Sequence, residues 1–238
     1  MRTSIPVPAA LLAALVIVGT SGLARAESPR NFMVEIKFGP FRPGVDKEFS
    51  SKRPWQSVFG SGYNLMTQIE FDYEILKKVG TLAVGGAIGY SLAKGNGLLR
   101  DGTKSTDKSK FNTVPLSASL IYRFDYLAQR FKIPLVPTFK AGIDCYVWWT
   151  TNGQGKISKS SDGLTGRGAT FGGHASLGLM LLLDFMAPMM AQTFDAELGV
   201  NNTYLFFEYT WSWINDFGSG KSIILSNDNV LAGLAFEF

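Results

Sequence analysis

His174 is the one histidine of this 238-residue chain, and Ser176 follows it two positions later. In an extended strand, residues two apart share a face. An imidazole and a hydroxyl would then stand side by side, as a general base and its nucleophile must. A second chemical signal is Gly218-Ser219-Gly220-Lys221-Ser222, which shares the Gly-Lys-Ser ending of a phosphate-cradling loop. Position 215, where that pattern needs its first glycine, is Asn215, and no helical periodicity follows, so a loop turn is the expectation. Cys145 is the single cysteine, so no intramolecular disulfide forms. No cluster with metal-ligand spacing is present, and neither a metal nor a cofactor is expected.

The elements that must position these groups repeat with a period of two rather than 3.6. In 81–92, Leu82, Val84, Gly86, Ile88, Tyr90 and Leu92 fall on one face, and Thr81, Ala83, Gly85, Ala87, Gly89 and Ser91 on the other. In 64–75, Leu65, Thr67, Ile69, Phe71, Tyr73 and Ile75 oppose Asn64, Met66, Gln68, Glu70, Asp72 and Glu74. The same grammar gives eight segments: 31–38, 63–76, 81–92, 112–124, 134–149, 171–183, 201–214 and 229–238. Several exceed the roughly 10 residues with which a tilted strand crosses a bilayer. Pro115 and Pro137 fall inside two of them and remove ladder donors, which makes the fifth segment, with Pro134 and Pro137, the least secure.

The connections alternate. Long polar stretches at 39–62, 93–111, 150–170 and 215–228 follow the odd-numbered segments, and shorter links at 77–80, 125–133 and 184–193 follow the even ones. Two of the short links, 126–131 and 185–191, read as brief helices capping the periplasmic side. This predicts an all-β fold, an eight-stranded antiparallel transmembrane β-barrel with long extracellular loops and short periplasmic turns. Aromatic residues gather at both strand ends, where amphipathic rings favour the headgroup level. At the outer rim lie Tyr63, Tyr90, Phe111, Trp148, Trp149, Trp211 and Trp213. At the inner rim lie Phe32, Tyr73, Tyr122, Phe124, Phe185, Phe236 and Phe238.

The first residues set the compartment. Arg2, an apolar stretch over 5–18 and Ala24-Arg25-Ala26 have the plan of a secretory signal peptide, so 1–26 is expected to be cleaved, leaving 27–238 as the barrel. Removing Arg2 and Arg25 leaves 21 basic against 19 acidic residues. That near balance gives no electrostatic case for nucleic acid. No remaining stretch approaches the roughly 18 apolar residues of a membrane-spanning helix.

If the Leu82 row faces lipid, the lumen collects Glu35, Lys37, Glu70, Asp72, Arg123, Lys140, Asp144, His174, Glu208 and Glu237. An eight-strand barrel is just wide enough for side chains to fill it. These charges must therefore pair with one another or with trapped water, which predicts a structural network plugging the lumen. A narrow solute passage is the rival for that space. The outer loops carry Arg42, Lys47, Lys52 and Arg53, then Lys94, Arg100, Lys104, Lys108 and Lys110, then Lys156, Lys159 and Arg167. Such groups suit lipopolysaccharide phosphates.

The chain ends Gly233-Leu234-Ala235-Phe236-Glu237-Phe238. This resembles the terminal signal that the barrel-assembly machinery reads on bacterial outer-membrane barrels, with Gly233, Phe236 and Phe238 as its marks. The segment from Phe32 to Pro40, with Pro54-Trp55 and Val58-Phe59-Gly60, also looks like a small outer-membrane β-barrel family of Gram-negative bacteria. The resemblance implies fold and location only, and no catalytic residues; a barrel so placed is expected to contact outer-membrane lipid. The His174-x-Ser176 pair is separately similar to that of outer-membrane lipid A deacylases, which implies His174, Ser176 and Glu208 as a hydrolytic set. The face assigned above turns that set toward the lumen and away from lipid. A structural or surface-binding protein rather than an enzyme is expected, with no signal for oligomeric state.

Overall fold

The computed structural model describes residues 30–98, 103–159, 163, 165–186, 188–220 and 222–238. The expected signal peptide, Arg100 and Lys221 lie outside them. Eight strands form one closed sheet: β1 (Phe32–Phe41), β2 (Asn64–Lys78), β3 (Gly80–Leu98), β4 (Lys104–Arg123), β5 (Leu135–Thr151), β6 (Arg167–Leu182), β7 (Asn202–Ile214) and β8 (Asp228–Glu237). Each pairs antiparallel with its neighbours in sequence, and β1 closes on β8 through pairs such as Ile36 with Leu234 and Lys37 with Gly233. Gly233 sits at this seam facing inward, where a Cβ would come 3.1 Å from the Lys37 Cα, so the closure leaves room for no side chain. A closed ladder satisfies every strand and leaves no free edge, which is the condition for sheet to survive in hydrocarbon.

The polarity is turned inside out. Ile143 is 66% exposed and Leu120 54%, whereas Glu35 and Asp72 are 0% exposed. A soluble barrel would do the reverse, burying the branched aliphatics and hydrating the carboxylates. The exposed band of Phe71, Ile88, Leu120, Ile143, Leu177 and Phe207 is therefore a wall that faces lipid, and the chain is a transmembrane barrel.

Three features depart from the sequence expectation. β3 continues to Leu98 and β4 begins at Lys104, so most of 93–111, expected as loop, is paired hairpin standing above the barrel. The polar composition there reflects water on both faces rather than lack of structure. The helix after β6 (Pro188–Leu198) is longer than the brief cap expected, so that link extends well past residue 193. The fifth strand, expected to be the least secure, runs unbroken. Pro137 keeps its place because its carbonyl accepts the Phe124 N–H at 2.8 Å, and Pro115 faces the lumen opposite Gly89, where the β3–β4 ladder skips from the Ile88–Leu116 pair to Ser91–Thr113. A Cβ on Gly89 would lie 2.9 Å from the Pro115 ring.

Both ends of the lumen are closed by apolar layers. The inner one joins Met33, Val136, Met180, Tyr204, Phe206 and Ala235. The outer one joins Phe41, Trp55, Met66, Ala93, Phe111, Tyr146, Ile214 and Leu225. Trp55 enters from a short helix (α1, Pro54–Phe59), whose first turn is fixed by Asp46: its carboxylate accepts the Trp55 N–H at 2.8 Å and the Gln56 N–H at 3.3 Å. The Trp55 ring lies 4.5 Å from Phe59 and meets Phe111 edge-on at 5.2 Å. Phe111 and Trp148, expected in the outer girdle, instead turn inward and stack at 5.9 Å. Their strand parity places them in the plug, where Trp148 Nε1 donates to Thr170 Oγ1 at 3.2 Å. Tyr90 and Trp213 are exposed at the outer rim, Trp149 and Trp211 are half-buried there, and Phe124, Phe236 and Phe238 are half-buried at the inner rim.

Candidate functional site

Between the two apolar layers the lumen is ionic. Inward positions of β1 and β5, on opposite sides of the barrel, supply Lys37 and Lys140, and their ammonium groups meet over carboxylates from β1, β2 and β7. Lys140 Nζ lies 2.6 Å from Glu35, 2.7 Å from Glu70 and 3.2 Å from Glu208. Lys37 pairs with Glu70 and lies 3.4 Å from Glu35 and 3.6 Å from Glu208. Nearer the inner end, Arg123 reaches Asp72 and Glu74, each at 3.2 Å, and its Nη1 approaches the Met33 sulfur at 2.8 Å. Glu74 also pairs with Lys77 at 2.6 Å. All the network groups but Lys77 are buried. In so low a dielectric each charge must be matched at short range, and bridging ammonium groups do so for several carboxylates at once. Glu35, Glu70 and Asp72 bring carboxylate oxygens within 4.8 Å of one another, but lysine ammonium groups already engage Glu35 and Glu70 there.

A different arrangement lies between the ionic layer and the outer plug. His174 Nδ1 is 2.9 Å from Asp144 Oδ2, and Nε2 is 3.1 Å from Ser119 Oγ. Ser176, the hydroxyl expected beside His174, bonds instead with Thr210 at 2.8 Å, and Thr210 donates to Glu208 at 3.1 Å. The His174, Ser176 and Glu208 set is therefore not assembled. The two side chains share a strand face but lean to opposite neighbours, His174 across β5 and Ser176 toward β7, while Glu208 is held by the lysines. Asp144, His174 and Ser119 do stand in the order carboxylate, imidazole, hydroxyl that nucleophilic catalysis uses. The cavity that Asp144 and His174 line, with Ser117, Ser212, Asn227 and Asn229, holds only about 30 Å³. That is room for water-sized occupants and not for an acyl ester.

Of the ten lumen residues expected from the sequence, five form one cluster, Lys37 and Lys140 with Glu35, Glu70 and Glu208. Asp72 and Arg123 form an adjoining cluster, Asp144 and His174 a third, and Glu237 stands apart at the inner end. There it accepts from Asn202 at 2.5 Å and from the Tyr204 hydroxyl at 3.1 Å. Glu74, Tyr204, Ser119 and Thr210 belong to these clusters and were not among the ten. Glu74 shares the inward row of Glu70 and Asp72, and Tyr204 and Thr210 share that of Glu208, so alternation alone would have found them.

Above the rim the charges are arranged otherwise. Lys94 stands directly across the β3–β4 hairpin from Lys110, and Asn96 from Lys108. All three lysines are exposed on the outward side. Like charges directly opposite destabilise a ladder. By contrast Arg42 is bound to Asp46 at 3.4 Å and to the Ser61 carbonyl at 3.0 Å, and Arg53 to Gln56 at 3.4 Å.

No protein-family model matches the sequence, and no curated protein matches it. Among solved structures, Neisserial surface protein A is similar over 87% of this chain and 97% of its own, with 15% identity and a TM-score of 0.47. Ail, the attachment invasion locus protein of Yersinia pestis, in complex with the heparin analogue sucrose octasulfate, is similar over 87% and 97%, with 10% identity and a TM-score of 0.45. The N-terminal β-barrel domain of Pseudomonas aeruginosa OprF is similar over 88% and 98%, with 13% identity and a TM-score of 0.41. At such identities no residue role passes from one chain to another.

Proposed function

We propose that 27–238 is an integral barrel of the outer membrane of a Gram-negative bacterium. Its role is structural and surface-binding, exerted through basic groups above the outer rim that contact lipopolysaccharide phosphates. Residues 1–26 serve export and are removed, and Gly233, Phe236 and Phe238 are read by the barrel-assembly machinery. The observation that carries the binding role is the Lys94–Lys110 pair with Lys108 beside it. A hairpin that sets two ammonium groups face to face in water loses stability unless an anion lies between them, and phosphate accepts strong charge-assisted bonds from both. The lumen supports the same division of labour, since apolar layers close it at both ends and its charges are spent on one another.

The test is binding of purified lipopolysaccharide to the refolded protein in detergent. Replacing Lys94, Lys108 and Lys110 with Ala should weaken binding by about tenfold or more, as expected when charged hydrogen bonds are lost. Added salt should weaken binding by the unaltered protein. Equal binding by the two proteins would remove the surface-binding role. The membrane assignment has its own check: the mature chain should fractionate with outer membranes and run at different gel positions before and after boiling.

A further inference from the structure

The segment 152–159 that follows β5 folds back over the outside of the barrel and leaves a cleft beneath it. The fold-back is well tied. Ser158 N–H donates to the Thr150 carbonyl at 2.9 Å, Gly166 N–H to Ser158 at 2.8 Å, and Thr150 N–H to Gly166 at 2.7 Å. At the tip, Asn152 Oδ1 accepts the Gln154 and Lys156 N–H groups at 3.1 and 3.0 Å. Gly155 and Ile157 thus overhang Val147, Trp149 and Ala169 of the wall, with Arg167 beside them, around a space of about 660 Å³. That lies within the roughly 300–1,000 Å³ of small-ligand sites. Because the loop is held by its own hydrogen bonds, the cleft exists before any ligand arrives, which lowers the ordering cost of binding.

We infer that this cleft binds one acyl chain of lipid A, with the Arg167 guanidinium on a lipid A phosphate. Three observations converge. The cleft opens on the outward face of β5 and β6 and is continuous with the lipid-facing wall, since Val147 is itself exposed. Among the described residues its lining is apolar apart from Thr151 and Arg167 and includes no carboxylate, which suits an amphiphile of negative headgroup. Arg167 has no carboxylate partner among the described residues, and a guanidinium forks onto phosphate oxygens in a way that an ammonium does not. The inference rests on the reading that the chain stands in the outer membrane with phosphorylated glycolipid around its outer rim. It assigns a chain-binding site on β5 and β6, separate from the lysines of β3 and β4.

Native mass spectrometry of the refolded full barrel, released from detergent after incubation with lipid A, reads the bound stoichiometry and relative affinity. Ala169→Trp fills the cleft, and Arg167→Gln removes the charge while keeping a polar side chain; unchanged heat-modifiable gel mobility establishes that each still folds. Ala169→Trp should weaken lipid A by about tenfold or more, the loss expected for excluding a buried chain. Arg167→Gln should weaken lipid A and leave dephosphorylated lipid A unaffected. Lipid A binding unchanged by Ala169→Trp, yet lost from the triple lysine variant, would overturn the cleft and leave the proposed function standing. No lipid A binding by the unaltered protein would overturn both. Phosphatidylglycerol binding as tight as lipid A, with the same dependence on Ala169 and Arg167, would overturn the choice of glycolipid.

Discussion

Lysine appears in two settings in this barrel, and the contrast separates what holds the molecule together from what it offers to others. In the lumen, Lys140 contacts three carboxylates between 2.6 and 3.2 Å, and all of them are buried. Above the rim, Lys94 and Lys110 share a cross-strand position with each other. The interior charges are matched within the fold, because an unmatched charge there has no water to turn to. The rim charges are placed against their own electrostatic interest, which the fold tolerates only because water and salt screen them. A charge whose partners lie within the chain is structural. A charge set against its like is available to an outside anion.

The widest break in this contrast is Lys140→Ala, which leaves Glu35, Glu70 and Glu208 short of a shared cation. A loss of about 3–5 kcal/mol is expected in urea unfolding from lipid vesicles, as for other broken buried pairs. Should that variant not fold, Lys140→Met with Glu208→Met replaces charge by similar apolar volume and should recover folding. A midpoint for Lys140→Ala within the error of the unaltered protein would show that the network carries no stability. His174→Ala comes next. It strips a hydrogen-bond partner from Asp144 and Ser119 and should cost about 1–3 kcal/mol, the penalty of unpaired buried polar groups. Cells carrying it should make lipid A of unchanged mass, and an altered acylation pattern would revive the hydrolytic reading of His174.

The lumen was legible in the sequence as a face but not as a set of contacts. Alternation in β2 and β3 put Glu70 and Asp72 inside and Leu82 and Ile88 outside, because period two follows from the backbone alone. It gave no hint that His174 would choose Asp144 and Ser119 over Ser176 and Glu208. That choice depends on strand stagger, which decides which inward side chains stand at one height. The outer plug was illegible for a related reason. Trp55 and Leu225 belong to loop stretches that carry no periodicity, and only the folded loop brings them over the lumen. Likewise Trp148 and Trp149 look alike as a girdle pair, yet adjacent strand residues must point to opposite faces, so one of them had to turn inward.

On the rim side, Lys110→Glu sharpens the contrast by changing two properties in opposite directions. The new carboxylate would face Lys94 across the ladder and convert a repulsive pair into an attractive one. A gain of about 0.2–1 kcal/mol in hairpin stability is expected. Lipopolysaccharide binding should weaken at the same time, because one cation is lost and an anion now competes for Lys94. A variant that binds as tightly as before would mean that Lys94 and Lys110 do not serve phosphate.

Asp216 gives the smallest effect and lies between the two settings, above the rim yet partnered within the chain. The Ser222 hydroxyl and the Phe171 N–H, the latter at 2.8 Å, both donate to its carboxylate and hold it below its ordinary pKa of 3.8. Because the folded value is depressed, the stabilisation is complete above the ordinary value and disappears as pH falls through the folded one. The window therefore lies below about pH 4, and it concerns the outer loop after β7 rather than the barrel. A nitroxide on Phe217→Cys, a position 74% exposed, in a Cys145→Ala background should gain mobility on acidification through that window. Asp216→Asn should be mobile at neutral pH and respond little to acid, since its amide no longer offers an ionised acceptor. Mobility that stays constant in the unaltered loop down to about pH 2 would mean that these two bonds do not hold it. The loop would then be fixed instead by Leu225, whose burial in the outer plug does not depend on pH.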